Sequence, residues 1–142
     1  MVALFGLPGH AQTELAGSVK NVTGEAWVIT GGQRSPAQAG ASVYLGSQLK
    51  TGKNGAMGIS FRDNTLMSFG PDTEMTIDEY LFAPKEGRLK LGTSLAKGSL
   101  NYVSGIIARL KPDAVSVKTP TGTIGVRGTQ FLVKVEAPET TE

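Results

Sequence analysis

The sequence predicts an all-β fold: a compact single domain of many short strands, arranged as a β-roll, a sandwich or a short β-solenoid, with at most a short helical turn. Three observations carry that prediction. Glycine supplies 19 of the 142 residues, and each glycine inside a helix costs about 1 kcal/mol relative to alanine, so few uninterrupted helical stretches remain. A period of two runs from Met57 to Ile77: Met57, Ile59, Phe61, Met67, Phe69, Met75 and Ile77 alternate with mostly small or polar neighbours, the mark of half-buried strands. Turn signals recur at a spacing of about 8–12 residues, as in all-β sandwiches and barrels.

The elements follow in chain order. Residues 1–11 hold a short apolar stretch, Val2 to Leu7, then a Pro/Gly break and the small residues Gly9 and Ala11 before Gln12; this reads as the remnant of a signal peptide. Residues 12–136 form the β domain, with folded structure expected from near Leu15. Strands are expected at Leu15–Val19, Ala26–Thr30, Ser42–Leu45, Gln48–Thr51, through the period-two stretch, and at Leu89–Leu91, Ser99–Val103, Ala114–Lys118 and Gln130–Glu136. Gly31-Gly32, Gly46-Ser47, Lys53-Asn54-Gly55, Pro71-Asp72, Glu86-Gly87, Lys97-Gly98 and Pro112-Asp113 separate them as turns. Ser104 to Leu110 is read as a single helical turn, because Ile106, Ile107 and Leu110 have helical spacing. Residues 137–142, with Pro138 and Thr/Glu pairs, read as a disordered tail.

One turn can be specified further. The parity of the apolar positions survives Arg62-Asp63-Asn64, which a two-residue loop would not allow. If Phe61 pairs with Thr65 across a three-residue loop, Ile59 falls opposite Met67 and Met57 opposite Phe69. That hairpin needs a left-handed residue at its last loop position, and Asn64 is among the few non-glycine types that tolerate it.

Composition excludes several function classes. Cysteine is absent and the one histidine, His10, lies in the leader, so thiol nucleophiles, a Ser-His-Asp system and a multi-histidine zinc site cannot be built. The net charge of +2 arises from 14 basic and 12 acidic residues without a basic block, too mild for a nucleic-acid partner. No apolar run reaches the 18 or so residues of a transmembrane segment. Asp63, Asp72, Glu74, Asp78 and Glu79 read as turn and solvent-face acids rather than as a glycosidase pair or a calcium loop. Gly46 to Asn54 resembles a phosphate loop, but its spacing is one residue too long and Asn54 replaces the Ser/Thr. Gly122, Gly125 and Gly128 are spaced by three, unlike a dinucleotide fingerprint. No catalytic residue, metal or cofactor is expected.

The segment from Thr119 to Val135 is the most unusual. Its glycines allow close backbone approach or a bent strand, and Arg127 is read as a structural arginine bonding several carbonyls, the other reading being a receiver of a partner's carboxylate.

At these residues the chain resembles the FecR domain family. The motifs that carry the likeness are Gly17-Ser-Val-Lys-Asn-Val-Thr-Gly24-Glu-Ala26, Leu45-Gly-Ser-Gln-Leu-Lys-Thr-Gly52, Ile59-Ser-Phe-Arg-Asp-Asn-Thr65, and Val117-Lys-Thr-Pro120 with Ile124-Gly-Val-Arg-Gly-Thr129. Asn64 stands where the family usually has glycine. The resemblance implies a β domain in the periplasm, or secreted, that works by contact and not by catalysis. Full regulators of this type place a cytoplasmic anti-sigma segment and one membrane span before the domain; the signal-like start here favours a freestanding exported protein.

The expected function is therefore non-enzymatic: protein–protein or envelope-ligand binding and sensing, with an unidentified protein or envelope polymer as partner. The alternatives are the periplasmic half of a transmembrane anti-sigma-type transducer and a carbohydrate-binding module. Arg127, Gly125, Gly128, Thr129 and Asn64 are expected to hold the fold, and Arg34, Arg62, Tyr80 and Arg109 to be exposed contact residues.

Overall fold

The computed structural model describes residues 14–125 and 129–136. Residues 1–11, read above as a signal remnant, and 137–142, read as a tail, lie outside them. Strand accounts for 63% of the structure, in the order β1 (Leu15–Thr23), β2 (Ala26–Thr30), β3 (Gln33–Pro36), β4 (Ser42–Tyr44), β5 (Gln48–Thr51), β6 (Ala56–Phe61), β7 (Leu66–Phe69), β8 (Glu74–Ala83), β9 (Arg88–Val103), α1 (Ile106–Leu110), β10 (Val115–Thr119), β11 (Gly122–Gly125) and β12 (Gln130–Val135). The fold is all-β with one short helix, as the composition required.

Hydrogen bonding follows the path β3-β2-β5-β8-β9-β7-β6-β1-β4. The organising element is β9, 16 residues long. Its first half pairs antiparallel with β8 and parallel with β10, and β11 pairs with β10. Its second half lies between β7 and β12, antiparallel to both. The sheet thus curls into a half-barrel in which one strand belongs to both walls.

The curl comes from a residue that sequence alone places in a turn. Lys97-Gly98 does not end a strand; Leu89–Leu91 and Ser99–Val103 are parts of one continuous β9, bent at Gly98. There φ is +99°, a conformation that L side chains rarely adopt, and a Cβ would run into the Oγ1, Cα and Cβ of Thr73. The bend is locked by Thr73, whose Oγ1 accepts the Ser99 N–H at 3.1 Å and donates to Gly70 O at 2.9 Å. Thr51 Oγ1 completes the knot, accepting the Thr73 N–H at 2.9 Å and donating to Gly70 O at 2.7 Å.

The β6–β7 hairpin has the register that the apolar parity dictates. Met57 faces Phe69 and Ile59 faces Met67, the Phe61 N–H donates to Thr65 O at 2.9 Å, and Asn64 takes φ +71°. From Met57 to Ile77 the odd positions are buried, with Pro71 the exception. Leu49, Ile59, Met67, Ile77, Leu91, Leu95, Leu100 and Ile107 are essentially inaccessible, and full burial of such a side chain contributes about 1.5–3 kcal/mol.

Other expectations need correction. β8 continues to Ala83, six residues past the end of the sequence periodicity at Ile77, because a bulge between Ile77 and Glu79 breaks the alternation. β3 and β11 form although all four residues of each are exposed, so they carry no hydrophobic pattern to read. The helical turn exists, but only Ile107 and Ala108 reach the core; Leu110 is 61% exposed, since five residues cannot turn a third apolar side chain inward.

Candidate functional site

Two polar clusters could carry chemistry: a buried one around Asp63, and the outward face of the wall formed by β3, β2, β5, β8 and the first half of β9. Asp63 is not a solvent-face acid. It is fully buried in the loop that joins β6 to β7, and every one of its polar groups is used. Its Oδ2 accepts the Thr65 hydroxyl at 2.8 Å and the Ile107 N–H at 3.0 Å. Its Oδ1 accepts the Thr65 N–H and the Tyr80 hydroxyl, both at 3.3 Å. The Asp63 N–H donates to the Tyr80 oxygen at 3.1 Å, and the Asp63 carbonyl accepts the Ile106 N–H at 2.7 Å. Gly105 has no side chain because a Cβ there would strike the Thr65 N, the Asp63 carbonyl and the Thr65 hydroxyl. A carboxylate saturated by four donors has no lone pair left for a substrate, so this cluster is a structural clamp between the hairpin loop and α1.

Tyr80 belongs to that clamp, which overturns its reading as an exposed contact. Because the bulge at Ile77/Glu79 turns both Asp78 and Glu79 outward, the next inward position is Tyr80, 3% exposed. Its ring lies 5.6 Å from that of Phe61. Burial, and then the neighbouring Asp63 charge, push its phenol pKa well above the usual tyrosine value. Burial raises that of Tyr102 as well; the Tyr102 ring stacks on Phe131 at 4.8 Å.

The other predicted residues are dispersed. Arg62 is partly exposed but engaged: its Nη1 pairs with Glu14 at 3.2 Å and donates to Leu15 O at 3.1 Å, and its guanidinium lies 6.0 Å from the Phe82 ring. It ties down the start of β1. Arg109 is exposed on α1. Asn64 supplies the left-handed loop residue, and Thr129 O accepts the Ser104 N–H at 2.8 Å. Arg127 and Gly128 lie outside the described residues. Gly125 is exposed in β11, and a Cβ there would meet none of the described residues within 4 Å, so among them no close backbone approach occurs at it.

Arg34 is exposed on the edge strand β3, with its guanidinium 4.4 Å from the centre of the Trp27 ring. Parity along β2 brings Trp27 to this outward face, since Ala26 and Val28 are buried and Trp27 and Ile29 only half so. Strand register then builds the outward face. One row runs Pro36, Trp27, Lys50, Glu74, Lys97 and the next Arg34, Ile29, Gln48, Thr76, Ser94. Glu74 pairs with Lys50 at 3.6 Å and with Lys97 at 3.7 Å. Further along, Asp78 accepts the Ser94 hydroxyl and Glu79 pairs with Lys90 at 3.7 Å. Among the described residues no three His, Cys, Asp or Glu lie together as a metal site would need.

Comparison with known proteins adds the family. No curated protein and no solved structure gives a significant match. Among the described residues no helix is long and apolar enough to cross a membrane. A family model described as FecR protein matches residues 47–142, which takes in the hairpin and C-terminal motifs and leaves Gly17–Ala26 before its start. FecR domains are related to signal transduction and are generally periplasmic. The match extends over more than half of the 142 residues, and the chain belongs to the FecR family.

Proposed function

We propose that the chain is a non-enzymatic binding or sensing module that works outside the cytoplasm, by contact with another protein or an envelope polymer. Membership of the FecR family is the observation that carries this reading. The arrangement of polar groups supports it. The buried carboxylate and hydroxyls around Asp63 are spent on one another, whereas strand edges and exposed cations remain for a partner. Among the described residues β3, β4, β11 and β12 each have one strand neighbour, and an open edge can take up an extended peptide.

The test is retention of envelope components by the full chain as immobilised bait, with cell fractionation alongside. Recovery in the periplasmic fraction and stoichiometric, unmodified partner on the bait are expected. Turnover of an envelope substrate, or a cytoplasmic location, overturns the reading. The family's link to signal transduction favours a second reading, the periplasmic half of a transmembrane transducer. An in-frame helical cytoplasmic segment and membrane span encoded upstream of Met1 would select it.

A further inference from the structure

We propose that the corner formed by Trp27 and Arg34 is the docking site for an acidic, extended segment of a partner polypeptide; this rests on the binding function above and names its site and partner chemistry. The first ground is charge. In the two rows of side chains around the corner, Arg34, Lys50 and Lys97 are cations, and Glu74, shared by both lysines, is the acid facing them. Arg34 has no ion pair among the described residues, so its planar fork of donors stands free for a carboxylate. The second ground is what Arg34 rests on. Stacked over the indole at 4.4 Å, the guanidinium is held in place before any partner arrives, which lowers the ordering cost of binding. Half-buried Trp27 and Ile29 add apolar surface beside it, and tryptophan and arginine are, with tyrosine, the residue types enriched among the few that carry most of the energy of protein interfaces.

The shape of the edge selects an extended peptide. β3 is exposed at all four residues and pairs only with β2 among the described residues, so its outer edge can accept a strand. Arg34 and Pro36 share a face, and Pro36 is in register with Trp27. A partner strand laid along β3 therefore presents residues two apart to these positions, an acid to Arg34 and an apolar side chain to Pro36 and the rim of Trp27. Pro36 lacks an N–H, so the edge offers few ladder bonds and the carboxylate–guanidinium pair must supply much of the affinity. A sugar ring has no comparable route, because the guanidinium already covers the indole face on which it would stack.

The chain's single tryptophan makes the site its own reporter. Full-length protein is titrated with a soluble peptide in which glutamate and valine alternate, and separately with polygalacturonate, while Trp27 emission is followed at low and high salt. A saturable change with the peptide, weakened by salt, is expected. Arg34→Ala should weaken it by about tenfold, Arg34→Lys by less, and Lys85→Ala, at an exposed cation between β8 and β9, not at all, with each variant matching the parent in urea midpoint. Absence of a peptide-dependent change, equal binding by Arg34→Ala, or polygalacturonate binding as tightly as the peptide overturns the proposal. If Arg34→Ala bait also retains the same envelope partner as the parent chain, the binding function stands and this site alone falls.

Discussion

The Asp63 carboxylate accepts the backbone N–H of Ile107 at 3.0 Å across 44 residues of sequence, and so fastens a hairpin loop to the one helix of the molecule. The same carboxylate takes the Thr65 and Tyr80 hydroxyls. One acid therefore holds three separate chain segments at the end of the half-barrel where β9 leaves the sheet.

Replacing Asp63 by asparagine tests how much this clamp stabilises. The amide keeps the shape but substitutes an NH2 for one oxygen, so a donor faces the Thr65 or Ile107 donors inside the core. A buried charged hydrogen-bond network broken on one side costs about 2–4 kcal/mol. Urea unfolding of Asp63→Asn should show that loss as a lower midpoint with an unchanged slope. A loss below about 1 kcal/mol would show that the loop and α1 are held by packing instead.

Tyr80 gives the clamp a pH dependence of definite sign. Burial raises its folded-state pKa above that of the unfolded chain, near 10. The folded form thus keeps a proton that the unfolded form releases. The associated stability is fully present below pH about 10 and is lost as pH rises through the folded value. Equilibrium unfolding at stepped alkaline pH should show stability flat to about pH 10 and falling above it. Tyr80→Phe, though weaker at neutral pH by about 1 kcal/mol from the lost bonds to Asp63, should fall less steeply. Equal slopes for both proteins would refute the assignment.

Arg62 looks like a contact residue in the sequence and is a tether in the structure. Its ion pair with Glu14 and its bond to Leu15 O are exposed, and such pairs contribute about 0.2–1 kcal/mol, less in salt. Arg62→Ala should lower stability by that amount at low ionic strength and by little in concentrated salt, with peptide binding at Trp27 unchanged. A salt-independent loss would point to the contact of its guanidinium with the Phe82 ring.

What could be read in advance was what local pattern determines. The register and left-handed Asn64 of the β6–β7 hairpin follow from apolar parity alone, and parity holds wherever a strand has one face inward. It failed at Tyr80 because a bulge resets the alternation without any change in composition, and at β3 and β11 because both are exposed throughout. The burial of Asp63 is illegible in the sequence for a different reason. Aspartate suits a loop whether it faces water or a distant helix, and the partner that decides between these, Ile107, lies far along the chain. Trp27 and Arg34 become neighbours only through the hairpin between β2 and β3.

The glycines give the sharpest contrast, since the same residue type serves different ends. Gly98 lies at φ +99°, where a Cβ would collide with Thr73 backbone and side chain; at Gly125 a Cβ would meet none of the described residues within 4 Å. Gly98→Ala must either straighten β9 or displace Thr73, which would release the Ser99 N–H and leave Gly70 O with Thr51 alone. A strained conformation and a forced displacement in a packed wall together cost about 3 kcal/mol or more. Gly125→Ala should stay within about 0.5 kcal/mol of the parent, as exposed substitutions do. Paired thermal melts decide the matter. If Gly125→Ala proves the more damaging of the two, the bend at Gly98 is not what holds the two halves of β9 in their separate walls.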